Sequence, residues 1–347
     1  MDNQFPFVSV LLPIRNETVH IQRCLEAVLA QDYPSDWMEV LVIDGMSTDG
    51  TRKSIQRMLA VEQKFPLYLL DNPAHIVPAA LNIGISKAKG EIIVRVDGHC
   101  EIAPDYIRCC VRHLQTGKAD GVGGSVETIG ESWLSQGIAL AMSSSFGVGG
   151  SMFRTTKGKH LYTDTVPFPA YPIESVRRAG LYDEEMYCNE DDEYNYRLRN
   201  LGMKLLLAND IKSRYYCRGS LRSLWQQYYK YGLWKVRILQ KHPHQMTLRQ
   251  FVPPAFVLGL LCSVFLMLFP ATRLLSLIIP LLYLIVNLVT SALTFFKHGW
   301  KYVPLLPLIY VILHVSYGSG FWGGMIKFAK HWGGQAGKVS PTQPGLG

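Results

Sequence analysis

Glu91-Ile-Ile-Val-Arg-Val-Asp97-Gly98-His99 is a short apolar run that ends on an acid, a glycine and a histidine. An apolar run of this length predicts a buried strand, and in an α/β sheet ligands bind at the carboxyl ends of strands. An acid and an imidazole two residues apart on an extended backbone can point in the same direction. The strand end could therefore hold a cation and, through it, a phosphate. The alternative is an ordinary Asp-Gly turn, and the rest of the chain must decide between the two.

The segments around this strand alternate between apolar strands and amphipathic helices. Three further strands are predicted at 7–13, 40–43 and 67–70, and helices at 18–30, 50–60 and 77–88. This alternation predicts an α/β fold with a mostly parallel sheet and helices on its faces. Later helices are predicted at 104–117, 173–180 and 189–200, and later strands at 121–126, 203–208 and 213–217. Residues 132–160 fit a loop near the site and a helix followed by a turn equally well.

The C-terminal third is apolar enough to enter a membrane. The stretches 251–269, 274–296 and 302–322 each reach the length of ~20 residues that spans a bilayer. Aromatic and basic residues alternate over 221–240, as in a helix at a membrane interface. We therefore expect four parts: a soluble domain over 1–220, an interfacial helix over 221–250, about three transmembrane helices over 251–325, and a tail over 326–347.

Composition narrows the class of protein and its compartment. The 347 residues carry a formal net charge of +8, with basic residues scattered or beside the apolar stretches. That distribution favours an anionic membrane surface over nucleic acid as a partner. Seven cysteines without a C-x-x-C pair exclude a cysteine zinc module and a disulfide framework, and fit a reducing compartment. The first residues lack the pattern of a signal peptide, so we expect a cytosolic N-terminal domain.

Polar residues gather at four predicted strand ends or helix starts: Pro13-Ile-Arg-Asn16-Glu17, Asp44, Asp97-Gly98-His99 and Glu190-Asp191. Acids at successive carboxyl ends outline a nucleotide crevice. No glycine-rich Walker loop occurs, so a divalent cation would neutralise the phosphates. Transfer of a group from a diphosphate also needs a carboxylate that takes a proton from the attacking hydroxyl, and Glu190-Asp191 could supply it.

The order P-x-x-N-E, D-G-x-S-T-D-G-T, D-x-H and E-D, followed by an aromatic-basic helix, resembles family-2 inverting glycosyltransferases of the GT-A fold. The resemblance covers about residues 7–240. The apolar stretches that follow look like the membrane-bound branch that builds bacterial exopolysaccharides, of the succinoglycan-synthesis type.

The resemblance implies roles for individual residues. Asp191 is similar to the general base and Glu190 to its neighbour in the acceptor site, whereas Asp44 would recognise the nucleoside base, typically uracil. Asp97 would be the first acid of the metal-binding D-x-D motif. The nucleotide-sugar-binding set would comprise Pro13, Asn16, Glu17, Asp44, Asn82, Asp97 and Gly98.

Two positions depart from the family pattern. His99 replaces the second acid of D-x-D, so Asp97 and His99 would together bind Mn²⁺ or Mg²⁺, or His99 would only hydrogen-bond a phosphate. Gln227-Tyr-Tyr-Lys230-Tyr replaces the Q-x-x-R-W of processive synthases, which favours the addition of a single sugar. Gln227 and Lys230 would still approach the diphosphate or the acceptor.

The leading hypothesis is a multi-pass enzyme of the inner membrane with a cytoplasmic catalytic domain. It would move one sugar from a nucleotide sugar, with UDP as the expected nucleotide, to a lipid-linked saccharide. Membrane lipids and polysaccharide-assembly proteins would be partners, and nucleic acid would not. The alternatives are transfer to a polyprenyl phosphate and a non-catalytic subunit that binds nucleotide sugars.

Overall fold

A computed structural model describes residues 5–149, 151–155, 158–298, 300–302 and 304–332. The strands are β1 (Val8–Ile14), β2 (Met38–Asp44), β3 (Leu67–Asp71), β4 (Ile92–Arg95), β5 (Cys100–Ile102), β6 (Gly121–Ile129), β7 (Leu161–Tyr162), β8 (Ala170–Pro172) and β9 (Leu205–Tyr216). The helices are α1 (Ile21–Leu29), α2 (Thr51–Leu59), α3 (Val77–Lys87), α4 (Tyr106–Gln115), α5 (Trp133–Met142), α6 (Ser145–Val148), α7 (Met152–Thr155), α8 (Ile173–Ala179), α9 (Glu190–Asn200), α10 (Leu221–Lys241), α11 (Leu248–Met267), α12 (Arg273–Ser276), α13 (Ile278–His298) and α14 (Leu306–Lys327).

The described residues divide into two compact units. The first lies within 1–127 and 152–216, and the second within 128–151 and 217–347. The first unit contains β4 and the Asp97-Gly98-His99 segment that follows it. The second contains the apolar helices.

One mixed sheet organises the first unit, in the order β3-β2-β1-β4-β8-β6-β9-β5, with β7 paired to β9. The pairs β1–β2, β1–β4 and β2–β3 are parallel, whereas β4–β8 and β5–β9 are antiparallel. The α/β fold is confirmed, and its N-terminal half is parallel as predicted. The antiparallel half was not predicted, because β5, β7 and β8 are too short to show an apolar pattern.

The parallel half brings three strand ends to one edge of the sheet. Every residue of β1, β2 and β4 is buried, as expected for strands that helices cover on both faces. Helix α3 packs closely on β1 and β2, since a Cβ atom on Gly84 would stand 3.0 Å from side-chain atoms of Leu11 and Ile43. The residues that follow β1, β2 and β4 therefore lie on a rigid support.

Two local predictions need correction or completion. The predicted strands at 203–208 and 213–217 form the single strand β9, because Asn209 and Asp210 make no turn. Their side chains contact Lys212 and His113 instead. In the ambiguous stretch 132–160, residues 133–142 form α5, and Ser132 caps its first turn with the Ser135 N–H as donor.

Two described helical segments are long and apolar enough to cross a bilayer, Leu248–Met267 and Pro270–Thr294. Large apolar side chains along both are exposed, which suits contact with lipid. These segments suggest membrane association, and the number of spans stays a prediction. Within the predicted tail, residues 333–347 lie outside the described residues.

The third predicted span forms α14, which packs tightly against α10. A Cβ atom on Gly320 would stand 2.0 Å from the Tyr229 carbonyl oxygen, and one on Gly232 would stand 2.0 Å from that of Tyr317. The two helix backbones touch because both contact positions lack a side chain, which is the packing that membrane helices favour.

Candidate functional site

The loops after β1 and β2 are joined by a ladder of hydrogen bonds. The Asn16 N–H donates to Ser47 Oγ at 2.9 Å, and the Thr48 N–H donates to Asn16 Oδ1 at 2.9 Å. The Glu17 N–H donates to Thr51 Oγ1 at 2.8 Å. Each motif therefore satisfies backbone groups of the other, which explains why P-x-x-N-E and D-G-x-S-T-D-G-T occur together.

Asp44, at the end of β2, is fully buried. Its Oδ1 accepts hydrogen bonds from the N–H and hydroxyl of Ser47, at 3.0 and 2.6 Å, and its Oδ2 accepts from Arg52 Nη1 at 3.0 Å. Arg52 also contacts Asp71, at the end of the neighbouring β3, at 2.6 Å. Arg52 and Asp71 thus extend the predicted nucleoside pocket by two residues that sequence reasoning missed.

Glu17 and His99 meet above the end of β4. His99 Nδ1 lies 3.0 Å from Glu17 Oε1. The approach is close because Gly98 has no side chain: a Cβ atom there would stand 2.8 Å from Ile14 Cγ2. The bond to Glu17 at Nδ1 leaves Nε2 as the nitrogen with which His99 could bind a cation, and a carboxylate partner raises the basicity of such a ligand.

A buried arginine links the two predicted halves of the site. Arg95 Nε donates to Asp97 Oδ1 at 2.8 Å, and Arg95 Nη2 donates to Glu190 Oε1 at 2.9 Å. Burial alone would lower the pKa of Arg95, but the two carboxylates hold it well above its usual value. Burial would likewise raise the pKa of Asp97, yet the charge and hydrogen bond of Arg95 lower it overall. Asp97 is therefore ionised at neutral pH.

The four acids that open α9 have different environments. Glu193 makes a bidentate pair with Arg197, at 2.7 and 3.0 Å, which fixes the helix. Asp191 accepts the Asp192 N–H at 2.8 Å. Burial and the charges of Asp192 and Glu190 raise the pKa of Asp191 to about 7, although Arg95 opposes the shift. A carboxylate with a pKa near neutrality is suited to general base catalysis.

The remaining predicted residues have surroundings of their own. Asn82, on α3, donates to the Tyr182 carbonyl at 3.0 Å and to Glu184 Oε1 at 2.8 Å, so it anchors the segment before α9. Pro13 is a buried residue inside β1. Gln227 and Lys230 belong to α10 in the second unit, where Gln227 Nε2 donates to the Tyr231 hydroxyl at 2.9 Å. Their predicted roles stay predictions.

Arg95 is the main residue that sequence reasoning missed. It was counted as part of an apolar strand. The available signal was its spacing, because residues 95 and 97 lie two apart on an extended backbone and so face the same side.

The donor set around Asp97 fits a divalent cation. Its Oδ2 is 3.4 Å from Arg95 Nη2, whereas Oδ1 is held at 2.8 Å, so Oδ2 is the oxygen that could bind metal. With His99 Nε2 it offers one oxygen and one nitrogen ligand, which suits Mn²⁺ better than Mg²⁺. Two protein ligands leave positions for diphosphate oxygens.

Acids at the carboxyl ends of parallel strands indicate a nucleotide-binding crevice, and a family match narrows the class of the protein to glycosyltransferases. Residues 9–183 match Glycosyl transferase family 2. This match covers half of the chain, and the chain belongs to that family.

Two relatives similar to this chain are named for succinoglycan biosynthesis and for sugar transfer to a dolichyl-linked saccharide. It is 29% identical to the succinoglycan biosynthesis protein ExoA of Rhizobium meliloti, over 92% of this chain and 96% of that protein. It is 28% identical to a dolichyl N-acetyl-alpha-D-glucosaminyl phosphate 3-beta-D-2,3-diacetamido-2,3-dideoxy-beta-D-glucuronosyltransferase of Methanococcus voltae, over 92% of this chain and 98% of that one.

Solved structures confirm the GT-A fold. The mannosyltransferase PcManGT of Pyrobaculum calidifontis, determined with GDP-Man and Mn²⁺, superposes with a TM-score of 0.58 at 19% identity, over 92% of this chain and 88% of that one. TarS of S. aureus, in complex with UDP-GlcNAc, superposes with a TM-score of 0.52 at 17% identity, and each chain is 92% covered.

Replacement of the buried guanidinium tests the link between the two acids. Arg95→Gln leaves Asp97 and Glu190 without their shared counter-charge, and the loss of one partner from a buried ion pair destabilises a protein by about 3–5 kcal/mol. The measurement is the thermal unfolding midpoint of the full chain in detergent. Arg108→Gln, which removes a half-exposed guanidinium paired with Asp32, is the control and should leave the midpoint unchanged. An equal unfolding midpoint for Arg95→Gln and the parent protein would contradict the role of Arg95 as the shared counter-charge of the two acids.

Proposed function

We propose that the enzyme is a membrane-anchored, metal-dependent, inverting glycosyltransferase. It moves one sugar from a nucleotide sugar, with UDP as the nucleotide, to a lipid-linked saccharide. The observation that carries the proposal is the ion-pair network Asp97–Arg95–Glu190, with hydrogen bonds of 2.8 and 2.9 Å. This ion-pair network joins Asp97, the proposed donor-side acid, to the acids that open α9.

The donor side binds and orients the nucleotide sugar. The ladder between Asn16 and Ser47, together with Asp44 and Arg52, forms the rim of the nucleoside pocket. Asp97 and His99 would hold a divalent cation, and such a cation would supply positive charge against the departing diphosphate. Glu17 keeps the His99 ring in place through Nδ1.

The acceptor side moves a proton. Asp191 accepts the proton of the attacking hydroxyl while that hydroxyl attacks the anomeric carbon on the face opposite the diphosphate, which inverts the configuration. Glu190 accepts a hydrogen bond from Arg95, and its charge contributes to the raised pKa of Asp191. Because Arg95 bonds to both Glu190 and Asp97, it fixes the acids of α9 relative to Asp97.

The lipid character of the acceptor is supported by three observations. The segments Leu248–Met267 and Pro270–Thr294 suit a bilayer, and an aromatic-basic helix precedes them. The related Methanococcus voltae enzyme carries a dolichyl phosphate in the name of its substrate. We propose a catalytic domain over 1–220 on the cytoplasmic face of the inner membrane, followed by the interfacial helix 221–250 and a membrane region over 251–325.

A donor and metal screen tests the proposal. The purified full chain, supplied with lipid-linked saccharides, should transfer sugar from one of several UDP-sugars with Mn²⁺, and EDTA should abolish transfer. Asp191→Asn should lower turnover by about 10²–10⁴-fold while UDP still binds, because general base catalysis is lost. Full turnover by Asp191→Asn would instead favour a polyprenyl phosphate acceptor, which needs no base. UDP binding without turnover of any donor would identify a binding subunit, and EDTA-insensitive turnover would contradict the metal role.

The carboxylate behind His99 should control metal affinity. Glu17→Gln should weaken Mn²⁺ binding in the presence of UDP by about 10–100-fold, the usual effect of losing the partner of a histidine ligand. Electron paramagnetic resonance of free Mn²⁺ measures the affinity. Glu26→Gln, an exposed neutralisation on α1, is the matched control. Unchanged Mn²⁺ affinity in Glu17→Gln would show that Glu17 does not support a metal ligand.

The pH dependence of transfer should report Asp191. With a pKa of about 7, its carboxylate is protonated at lower pH, so kcat/KM should fall about tenfold per pH unit below 7. The charge of Asp192 raises this pKa, so Asp192→Asn should move the acidic limb to lower pH. The exposed Asp36→Asn should leave the limb in place. An acidic limb that does not respond to Asp192→Asn would contradict the assignment of Asp191 as base.

A further inference from the structure

A second group of ligand side chains lies in the first unit and shares no residue with the proposed donor site. It consists of His113 on α4, His160 just before β7, and Asp210 in β9. One ligand atom from each lies within 4.8 Å of the other two. His113 Nε2 is 2.8 Å and His160 Nδ1 3.8 Å from Asp210 Oδ1.

The fold holds these residues together without a ligand. Strand β7 pairs with β9 through Leu161 and Leu207, which fixes His160 beside the middle of β9. The Gly158 N–H donates to Asn209 Oδ1 at 2.9 Å and secures the same segment from the other side. His113 and Asp210 are thus carried by a helix and a strand, elements that hold ligands more firmly than a loop does, and His160 directly precedes the paired strand β7.

The charges and lone pairs of the group point inward. Arg112 contacts Asp210 Oδ2, and His113 Nε2 lies 2.8 Å from Oδ1 and 3.0 Å from Oδ2, so Oδ1 is the oxygen that both imidazoles approach. The Asn209 N–H donates to His160 Nδ1 at 3.3 Å, so this nitrogen carries a lone pair rather than a proton. The group therefore offers a carboxylate and an imidazole nitrogen whose lone pair would have to exchange the Asn209 hydrogen bond for a bond to metal.

The spacing suits a tetrahedral metal. Bonds of about 2.0–2.1 Å to nitrogen and oxygen place neighbouring ligand atoms of such a site about 3.4 Å apart. The observed distances of 2.8 and 3.8 Å to Asp210 Oδ1 lie on either side of that value. Small side-chain rotations would reach it. Two imidazoles and one carboxylate favour Zn²⁺ over Mg²⁺ or Ca²⁺, which prefer oxygen ligands.

We propose that His113, His160 and Asp210 form a second cation site, which binds Zn²⁺ with water as the fourth ligand. The site is independent of the donor cation and of the proposed function. The absence of C-x-x-C pairs does not bear on it, because the ligands are histidines and an aspartate. Bound Zn²⁺ would fasten the start of β7 to α4 and β9.

The test is a Zn²⁺ titration of the full chain in detergent, after EDTA has been removed by dialysis. Competition with a chromogenic chelator measures the affinity, and UDP with Mn²⁺ is present to occupy the donor site. The parent protein should bind Zn²⁺ at this site and gain thermal stability. His160→Ala should weaken the binding by at least about tenfold and remove the gain. His160 is half-exposed, so the variant should still fold.

His99→Ala removes a proposed ligand of the donor cation and leaves the second site intact. This variant should therefore bind Zn²⁺ at the second site as tightly as the parent protein does. Asp210→Asn should also weaken Zn²⁺ binding, since it removes the charge of the side chain and retains its shape. Equal Zn²⁺ affinity in His160→Ala and the parent protein would overturn the proposal. So would loss of Zn²⁺ binding in His99→Ala together with its retention in His160→Ala.

Discussion

The buried guanidinium of Arg95 is the interaction on which the site depends. Removing a charge from water is unfavourable, and Arg95 is tolerated inside the sheet because Asp97 and Glu190 both pair with it. Each carboxylate in turn needs the arginine. One end of this ion-pair network directly follows β4, and the other opens α9. The position of α9 relative to β4 is therefore set by charge as well as by apolar packing.

The same ion-pair network explains why two neighbouring acids of α9 have different surroundings. Glu190 lies against the guanidinium, whereas Asp191 is next to Asp192 and Glu190, and its pKa rises to about 7. Adjacent carboxyl groups in different environments can divide their roles, one as a fixed charge and one as a proton acceptor. Sequence position alone would treat them as a pair of equals.

Much of the fold could be predicted from sequence because its first half obeys simple rules. Strands β1 to β4 are continuous apolar runs, and their polar ends mark the crevice. Short strands such as β7 and β8 have too few residues for a period, so the antiparallel half was missed. Arg95 was missed for a related reason: an ion pair across 95 residues leaves no local pattern. Asn82 shows the opposite case, since it was expected in the nucleotide-sugar-binding set but its side chain contacts Tyr182 and Glu184.

The division of the sheet into a parallel and an antiparallel half also has a consequence for how such enzymes diversify. The residues proposed for the donor fall between 13 and 99, and those proposed as acids of the acceptor side begin at 190. On these proposed roles, donor and acceptor chemistry belong to consecutive lengths of chain, and Arg95 pairs with an acid from each. Recombination between homologous genes within the interval 100–189 would then exchange the proposed acceptor acids and keep the proposed donor residues together.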